Sequence, residues 1–219
     1  MAICYIFGSG EYGVQWPCPQ AGDLVIAADG GYAQLERRGI SPDLLVGDFD
    51  SLGYVPDHPH IVRHPVRKDD TDTALAIEQG WERGFREFHI YGGMGGRLDH
   101  TLANLQLLVG LAERGGAGFL VGEESVATAL SGGTLRFPAG CRGNLSVFAA
   151  NGPASGVTLT GLLYPLQGAR LTGDVPLGVS NEFLDGPATV TVERGTALVL
   201  WRPQPGLSMP ALRKTGESP

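Results

Sequence analysis

Four short apolar runs in the first half of the chain each stop on a glycine or an aspartate, and this punctuation restricts the fold more than any other feature. Ile3 to Phe7 runs into Gly8-Ser9-Gly10, Leu24 to Ala28 into Asp29-Gly30-Gly31, Leu44 to Val46 into Gly47-Asp48, and Phe88 to Tyr91 into Gly92-Gly93. Runs of this kind alternating with helical segments predict a parallel sheet with crossover helices over roughly the first 120 residues. Asp72 to Arg83, apolar at Ala74, Leu75, Ile77 and Trp81, reads as one amphipathic helix. Asp99 to Glu113, apolar at Leu102, Leu105, Leu108, Val109 and Ala112, reads as another. An aspartate at each start suits the free N–H groups and the positive end of the helix dipole. Ligands of open α/β sheets bind outside the carboxyl ends of the strands, which is where these turns fall.

The turns carry acids. Ala-Asp-Gly-Gly surrounds Asp29, Gly-Asp-Phe-Asp-Ser holds Asp48 and Asp50, Lys-Asp-Asp-Thr-Asp holds Asp69, Asp70 and Asp72, and Gly-Gly-Arg-Leu-Asp-His holds Asp99. Clustered carboxylates repel unless a hard cation such as Mg²⁺ neutralises them, and glycines beside them let bare N–H groups approach phosphate oxygens. Extended backbone at Asp48 and Asp50 would aim both side chains one way, toward shared cations, whereas an Asx-type turn there is equally compatible with the residues. Asp-Asp-Thr-Asp in isolation reads as a solvated helix start; a second acidic loop one crossover upstream makes a shared crevice the better reading. Gly92 to His100 is the most specific local signal: four glycines between strand and helix form a phosphate loop, with Gly93 in its bend and Arg97 as a fork of donors. It lacks the Gly-Lys-Ser/Thr ending of a Walker A loop. His100 reads as a capping or packing residue, and Asp99 as the stronger candidate for contacting a hydroxyl or a cation.

Beyond about Glu124 the texture changes to β-branched or alternating segments: Thr134 to Phe137, Asn144 to Ala149, Gly156 to Thr160, Ala188 to Val192 and Thr196 to Trp201, separated by Gly, Pro and Asn turns. They predict a small antiparallel β domain, sandwich or barrel-like. The chain is therefore divided into an α/β domain over 1–123, a β domain over 124–203 and a mobile tail over 204–219 without a catalytic role. Ser180-Asn181 reads by itself as a capped turn, and Tyr164 as a core aromatic. A net charge of −7 without a Lys/Arg-rich run argues against a duplex-binding surface but not against a small anionic ligand bound through metal. Cys4, Cys18 and Cys141 form no C-x-x-C pair and read as thiols in a reducing cytosol. The amino terminus reads as a first strand, not a signal peptide, and no apolar run approaches bilayer length, so a cytoplasmic protein without membrane contact is expected.

The ordered set Ala-Asp-Gly-Gly, Gly-Asp-Phe-Asp-Ser, Asp-Asp-Thr-Asp, Gly-Gly-Arg-Leu-Asp-His-Thr-Leu-Ala-Asn and Ser-Asn-Glu-Phe, from Ile3 to about Trp201, resembles thiamine pyrophosphokinases. The resemblance implies an α/β fold class: a Rossmann-like parallel-sheet domain followed by an antiparallel β-sandwich, assembled as a homodimer with sites between subunits. It implies Mg²⁺-dependent transfer of the terminal diphosphate of ATP to the hydroxyl of thiamine, giving thiamine diphosphate and AMP. By the same resemblance Asp48, Asp50 and Asp72 match metal residues, with Asp69 the alternative to Asp72 as direct ligand, and Asp29, Gly47, Asp69, Gly93 and Arg97 match the nucleotide site. Asp50, Asp72 and Asp99 match catalytic positions, while Ser180, Asn181 and Tyr164 match thiamine recognition. Tyr164 stands where some members carry Trp, and His100 where others carry Gln. The acids and glycines alone also suit another Mg²⁺-dependent nucleotide phosphohydrolase or nucleotidyltransferase, and the glycine loops suit a nucleotide-binding sensor; neither gives Ser-Asn-Glu-Phe a task.

Overall fold

Cys-Tyr-Ile-Phe, the run before Gly8, is apolar at every position because its strand is covered on both faces. In the computed structural model, which describes residues 2–13, 16–50, 52–63 and 71–214, this strand β1 (Cys4–Phe7) is buried throughout. Parallel sheets covered by helices on both sides demand such runs. Two compact units make up the chain: Met1–Leu107 with Gly118–Glu123, and Leu108–Ala117 with Glu124–Pro219.

In the first unit β1 pairs in parallel with β2 (Leu24–Ala28) on one side and with β5 (Glu87–Tyr91) on the other. Beyond β2 follow β3 (Leu44–Val46) and β4 (Ile61–Val62), also parallel. With β6 (Ala117–Val121) next to β5, the spatial order is β6-β5-β1-β2-β3-β4. The chain thus moves outward from β1 to β4, with helix α1 (Gly31–Glu36) between β2 and β3, and then returns through α2 (Asp72–Glu82) to the opposite side of β1. Reversal of strand order opens a crevice at the carboxyl ends on either side of the switch. Register aligns those ends: Phe7 faces both Ala27 and Tyr91, and Ala28 faces Val46. Gly8, Asp29, Gly47 and Gly92 therefore emerge along one edge. The helices expected over Asp72 to Arg83 and Asp99 to Glu113 are present as α2 and as α3 (Leu98–Glu113).

The second unit is built on β7 (Val126–Phe137), β8 (Asn144–Thr160) and β11 (Ala188–Trp201), with β11 antiparallel to both others. β9 (Leu166–Leu171) and β10 (Gly178–Glu182) pair with β8. The breaks expected after Phe137 and after Thr160 end strands, whereas the turns expected between Ala149 and Gly156 and between Val192 and Thr196 are bulges through which β8 and β11 run on. Register slips between Val192 and Thr196 in β11, and the buried set changes parity from Ala188, Val190 and Val192 to Ala197, Val199 and Trp201. A bulge inserts residues without ending the strand, and so exchanges its faces. Within the tail expected to be mobile, Ala211–Lys214 forms a strand, β12, on β7, with Ala211 opposite Arg136 and Lys214 opposite Gly133.

Gly80 shows how tightly α2 lies on the sheet. A β-carbon there would come within 2.7 Å of both Cys4 Sγ and the Phe88 ring, whereas helix propensity alone favours alanine by about 1 kcal/mol. Overpacking is the larger effect, so Gly80→Ala is expected to lower stability by about 1–3 kcal/mol, measured by urea unfolding. Equal or greater stability would show that α2 can lift off without penalty.

Candidate active site

The loops leaving β1 and β5 are zipped together by main-chain hydrogen bonds. Gly8 N–H donates to Tyr91 O at 2.8 Å, Gly10 N–H to Gly92 O at 2.7 Å and Glu11 N–H to Met94 O at 3.2 Å. No side chain fits between them: a β-carbon at Gly8 would lie 2.8 Å from Gly92 O, and one at Gly10 would lie 2.6 Å from it. Gly92 itself is left-handed, φ 64°. A crevice of about 590 Å³ opens beside this seam, edged by Asp29, Asp48, Asp72 and Arg97 and floored by glycines 8, 10 and 93. Gly8, Ser9 and Gly10 also line the crevice, a place signalled in the sequence only by their following a strand as Gly92-Gly93 does.

Asp29 is fixed by its main chain. Its N–H donates to Val46 O at 2.8 Å, and it adopts φ 48°, a region that non-glycine residues rarely enter. Gly47 presses against it, since a β-carbon there would lie 3.2 Å from Asp29 Cα. Ser9 Oγ donates to Asp29 Oδ2 at 3.4 Å, while Oδ1 is buried without a partner. Such an atom loses its hydration with nothing in exchange unless a ligand supplies it.

Asp48 and Asp50 do not share an extended backbone. Phe49 between them is left-handed, φ 64°, and its ring is buried; Asp50 N–H donates to Asp48 Oδ1 at 3.1 Å. The segment is thus the Asx-type turn. A buried aromatic ring pulled inward turns the two acids differently: Asp48 edges the crevice, and Asp50 is exposed and not part of its wall. Asp72 is also placed differently from the expected capping role. Thr71 caps α2, its Oγ1 accepting from Ala74 N–H at 3.2 Å, which leaves the Asp72 carboxyl for the crevice. Burial first, and then the negative charges of Asp29 and Asp48, push that carboxyl up to about 6. Asp72 therefore feels both of the other acids on the crevice wall. Asp69 lies outside the described residues.

Arg97 forks onto Asp99, with Nη2 to Oδ2 at 2.6 Å and Nε to Oδ1 at 3.2 Å. Both side chains are well exposed, at 71% and 65%. Arg97 walls the crevice and Asp99 does not. The hydrogen bond from Arg97 brings the Asp99 carboxyl down to about 2, making it a weak proton acceptor that orients Arg97. His100, read from sequence as a cap, stands exposed on the crevice wall. One helical turn on, buried Asn104 donates from Nδ2 to Gly93 O at 2.8 Å and so ties the glycine loop to α3. Their spacing of four along one helix face was the available signal.

In the second unit Asn181 is 3% exposed and its amide is committed to main chain. Oδ1 accepts from Tyr164 N–H and from Glu182 N–H, each at 2.9 Å, and Nδ2 donates to Tyr164 O at 2.7 Å. This clamp leaves Tyr164 63% exposed, so Tyr164 is not the core aromatic that the residue pattern alone suggests. Ser180 is left-handed, φ 57°, with its N–H donated to Ser146 Oγ at 3.0 Å.

Comparison with known proteins agrees over both units. The family model described as thiamin pyrophosphokinase, catalytic domain, matches residues 19–116, and that described as thiamin pyrophosphokinase, vitamin B1 binding domain, matches residues 134–197. A thiamine pyrophosphokinase of Bacillus subtilis is 27% identical over 184 residues, 81% of this chain and 86% of that protein. A crystal structure of thiamine pyrophosphokinase from Bacillus subtilis superposes with a TM-score of 0.79 at 25% identity, covering 91% of this chain and 98% of that one. One from Geobacillus thermodenitrificans gives 0.78 at 25% identity, covering 93% and 99%.

Asp72 makes an opposed demand on stability. Its folded-state carboxyl binds a proton more tightly than the unfolded chain does. The penalty is therefore absent below pH 3.8, grows as pH rises, and is complete above about pH 6. Asp72→Asn is expected to stabilise the metal-free protein at pH 7.5 by about 1–2 kcal/mol, discounted for the group's partial exposure, and to make no such difference at pH 3.5. Thermal melts in EDTA at the two pH values check both halves.

Proposed function

The chain belongs to the thiamin pyrophosphokinase family and is an enzyme of that activity, and we propose how its residues share the transfer of diphosphate from ATP to thiamine. The observation that carries the assignment of roles is one crevice that a two-strand glycine floor shares with three carboxylates, Asp29, Asp48 and Asp72. The main-chain N–H groups of the glycine loop that the seam leaves free, and the Arg97 N–H groups not engaged by Asp99, hold the polyphosphate. The thiamine hydroxyl oxygen attacks the β-phosphorus; its bond to that phosphorus forms as the bond from β-phosphorus to the α-bridging oxygen breaks, AMP leaves carrying that oxygen, and the hydroxyl proton is released to solvent. Positioning and charge neutralisation supply most of the stabilisation in such a transfer. Asp99 orients Arg97 for it.

Mg²⁺ fits the donors present. The unpartnered Asp29 Oδ1 and the raised Asp72 carboxyl are both relieved by a divalent cation, although among the described residues no three acidic, His or Cys side chains already form a ligating set. Asp48 and Asp72 would hold it, with Asp29 beside them and Asp50 bracing Asp48 through its N–H. Bound there, it would neutralise phosphate oxygens and the leaving charge.

Thiamine recognition falls to the second unit, where Asn181 presents Tyr164 and Ser180 is held strained and exposed. The architecture this reading assigns is a Rossmann-like domain followed by a β-sandwich. Leu163, Leu177, Val179 and Leu184 are also exposed there, apolar area that suits a second copy of the chain, as the proposed homodimer requires. Buried thiols at Cys4 and Cys141 suit a reducing cytoplasm; among the described residues no helix is long and apolar enough to cross a membrane. The negative formal charge suits small-molecule substrates better than nucleic acid.

Incubation with ATP, Mg²⁺ and thiamine is expected to yield AMP and thiamine diphosphate in equal amounts, and none with EDTA. ADP or inorganic phosphate as the main product would favour a phosphohydrolase, and binding without turnover a sensor. Asp48→Ala is expected to lower kcat at least a hundredfold without unfolding the protein. Tyr164→Ala is expected to raise KM for thiamine several-fold at unchanged stability. Asn181→Ala should do the same and also lose about 1–3 kcal/mol, because the Tyr164 peptide groups lose their partners. Unfolding curves beside the KM values separate the two.

A further inference from the structure

Glu11 is absent from the crevice wall, yet it grips the glycine loop at two points. Its N–H donates to Met94 O at 3.2 Å, and its Oε1 accepts from Gly96 N–H at 3.1 Å. Between these contacts Gly95 and Gly96 are consecutive left-handed residues, φ 81° and 60°. Gly95 is seated on the Glu11 side chain so closely that a β-carbon there would overlap the carboxylate. A run of glycines has many conformations, and a loop that must order itself around a ligand loses that freedom on binding.

We propose that Glu11 is a positioning residue for the nucleotide: its carboxylate fixes the Met94–Gly96 peptides so that the glycine loop meets the ATP polyphosphate already folded. With the Met94 carbonyl and the Gly96 N–H both committed to Glu11, the loop's remaining main-chain groups are held beside the crevice that Met94, Gly95 and Gly96 line. Glu11 is also a carboxylate close to a site for an anion, an arrangement that electrostatics alone disfavours. The geometry accounts for it through hydrogen bonding, because the acceptor oxygen and not the charge does the holding. A glutamine offers the same acceptor without the charge. The inference rests on the nucleotide lying in this crevice.

The test pairs Glu11→Ala with Glu11→Gln. In Glu11→Ala, KM for ATP is expected to rise roughly two- to tenfold, the range of one lost hydrogen bond, with KM for thiamine unchanged. Glu11→Gln is expected to keep wild-type KM for ATP or improve it, and its melting temperature shows that the fold survives substitution at this position. Affinity for a fluorescent ATP analogue, measured by titration without thiamine, should follow the same order. Unchanged ATP affinity in Glu11→Ala, an equal rise in both KM values, or a Glu11→Gln variant as weak as Glu11→Ala would each overturn the role. Failure of the wild type to make AMP and thiamine diphosphate would instead refute the functional reading, leaving the analogue titration to judge the clamp.

Discussion

Main chain touching main chain at the ends of β1 and β5 is the constraint on which the first unit's site depends. Gly8 and Gly10 donate directly to the carbonyls of Tyr91 and Gly92, and a single methyl at either position would stand less than 3 Å from a carbonyl oxygen. The close approach follows from strand order, since β1 and β5 are neighbours in space and 80 residues apart in number. Because the strands end level, the loops meet at the same height, and glycine is the residue that lets them do so. Everything that edges the crevice is placed with respect to that seam. Asp29 leaves the next strand at the same level, Asp48 the one after it, and Asn104 ties α3 back to Gly93.

Much of this was legible in the sequence, because its signals were local. The strands ending at Phe7, Ala28, Val46 and Tyr91, and both long helices, follow from apolar period and punctuation. The convergence of Asp29, Asp48 and Asp72 follows from strand ends sharing an edge. What failed to show depends on contacts between distant residues. Phe49 looks like the middle of a Gly-Asp-Phe-Asp turn, but its burial rotates the flanking acids, and no local pattern announces that the ring points inward. Asn151-Gly152-Pro153 and Glu193-Arg194-Gly195 carry turn chemistry yet bulge within continuous strands, because β8 and β11 pair on both sides of the irregularity. Hydrogen bonding in one direction overrules the local preference in the other. β12 similarly exists because β7 offers it an edge, which the composition of residues 204–219 does not reveal.

Strain is concentrated where chemistry is assigned. Among the described residues, four that are not glycine have positive φ, and three of them, Asp29, Phe49 and Ser180, sit in the acidic motifs or the Ser-Asn segment. Each left-handed placement costs on the order of 1 kcal/mol or more and persists because its surroundings leave no alternative. At Asp29 the surrounding is the Val46 carbonyl and the abutting Gly47; at Phe49 it is the buried ring; at Ser180 it is Ser146. The fold tolerates the cost because a relaxed backbone would point the side chains elsewhere.

The same opposition governs charge. An Asp72 carboxyl pushed up by burial and by two neighbouring acids, and an Asp29 oxygen buried with no partner, are both defects in a protein judged by stability alone. On the proposed function they would cease to be defects when a cation and a polyphosphate enter, since the cation would neutralise the acids and the polyphosphate would take up the donors that the glycine seam leaves free. Ligand binding to such a site stabilises the folded state by more than a relaxed site would gain, because it also removes the repulsion. The free protein is therefore poised: its glycine seam and Glu11 hold the loops in shape while its carboxylates remain unsatisfied. On the proposed roles, the energy released on binding would go to neutralising charge at the reacting phosphorus and not to folding the loop around it.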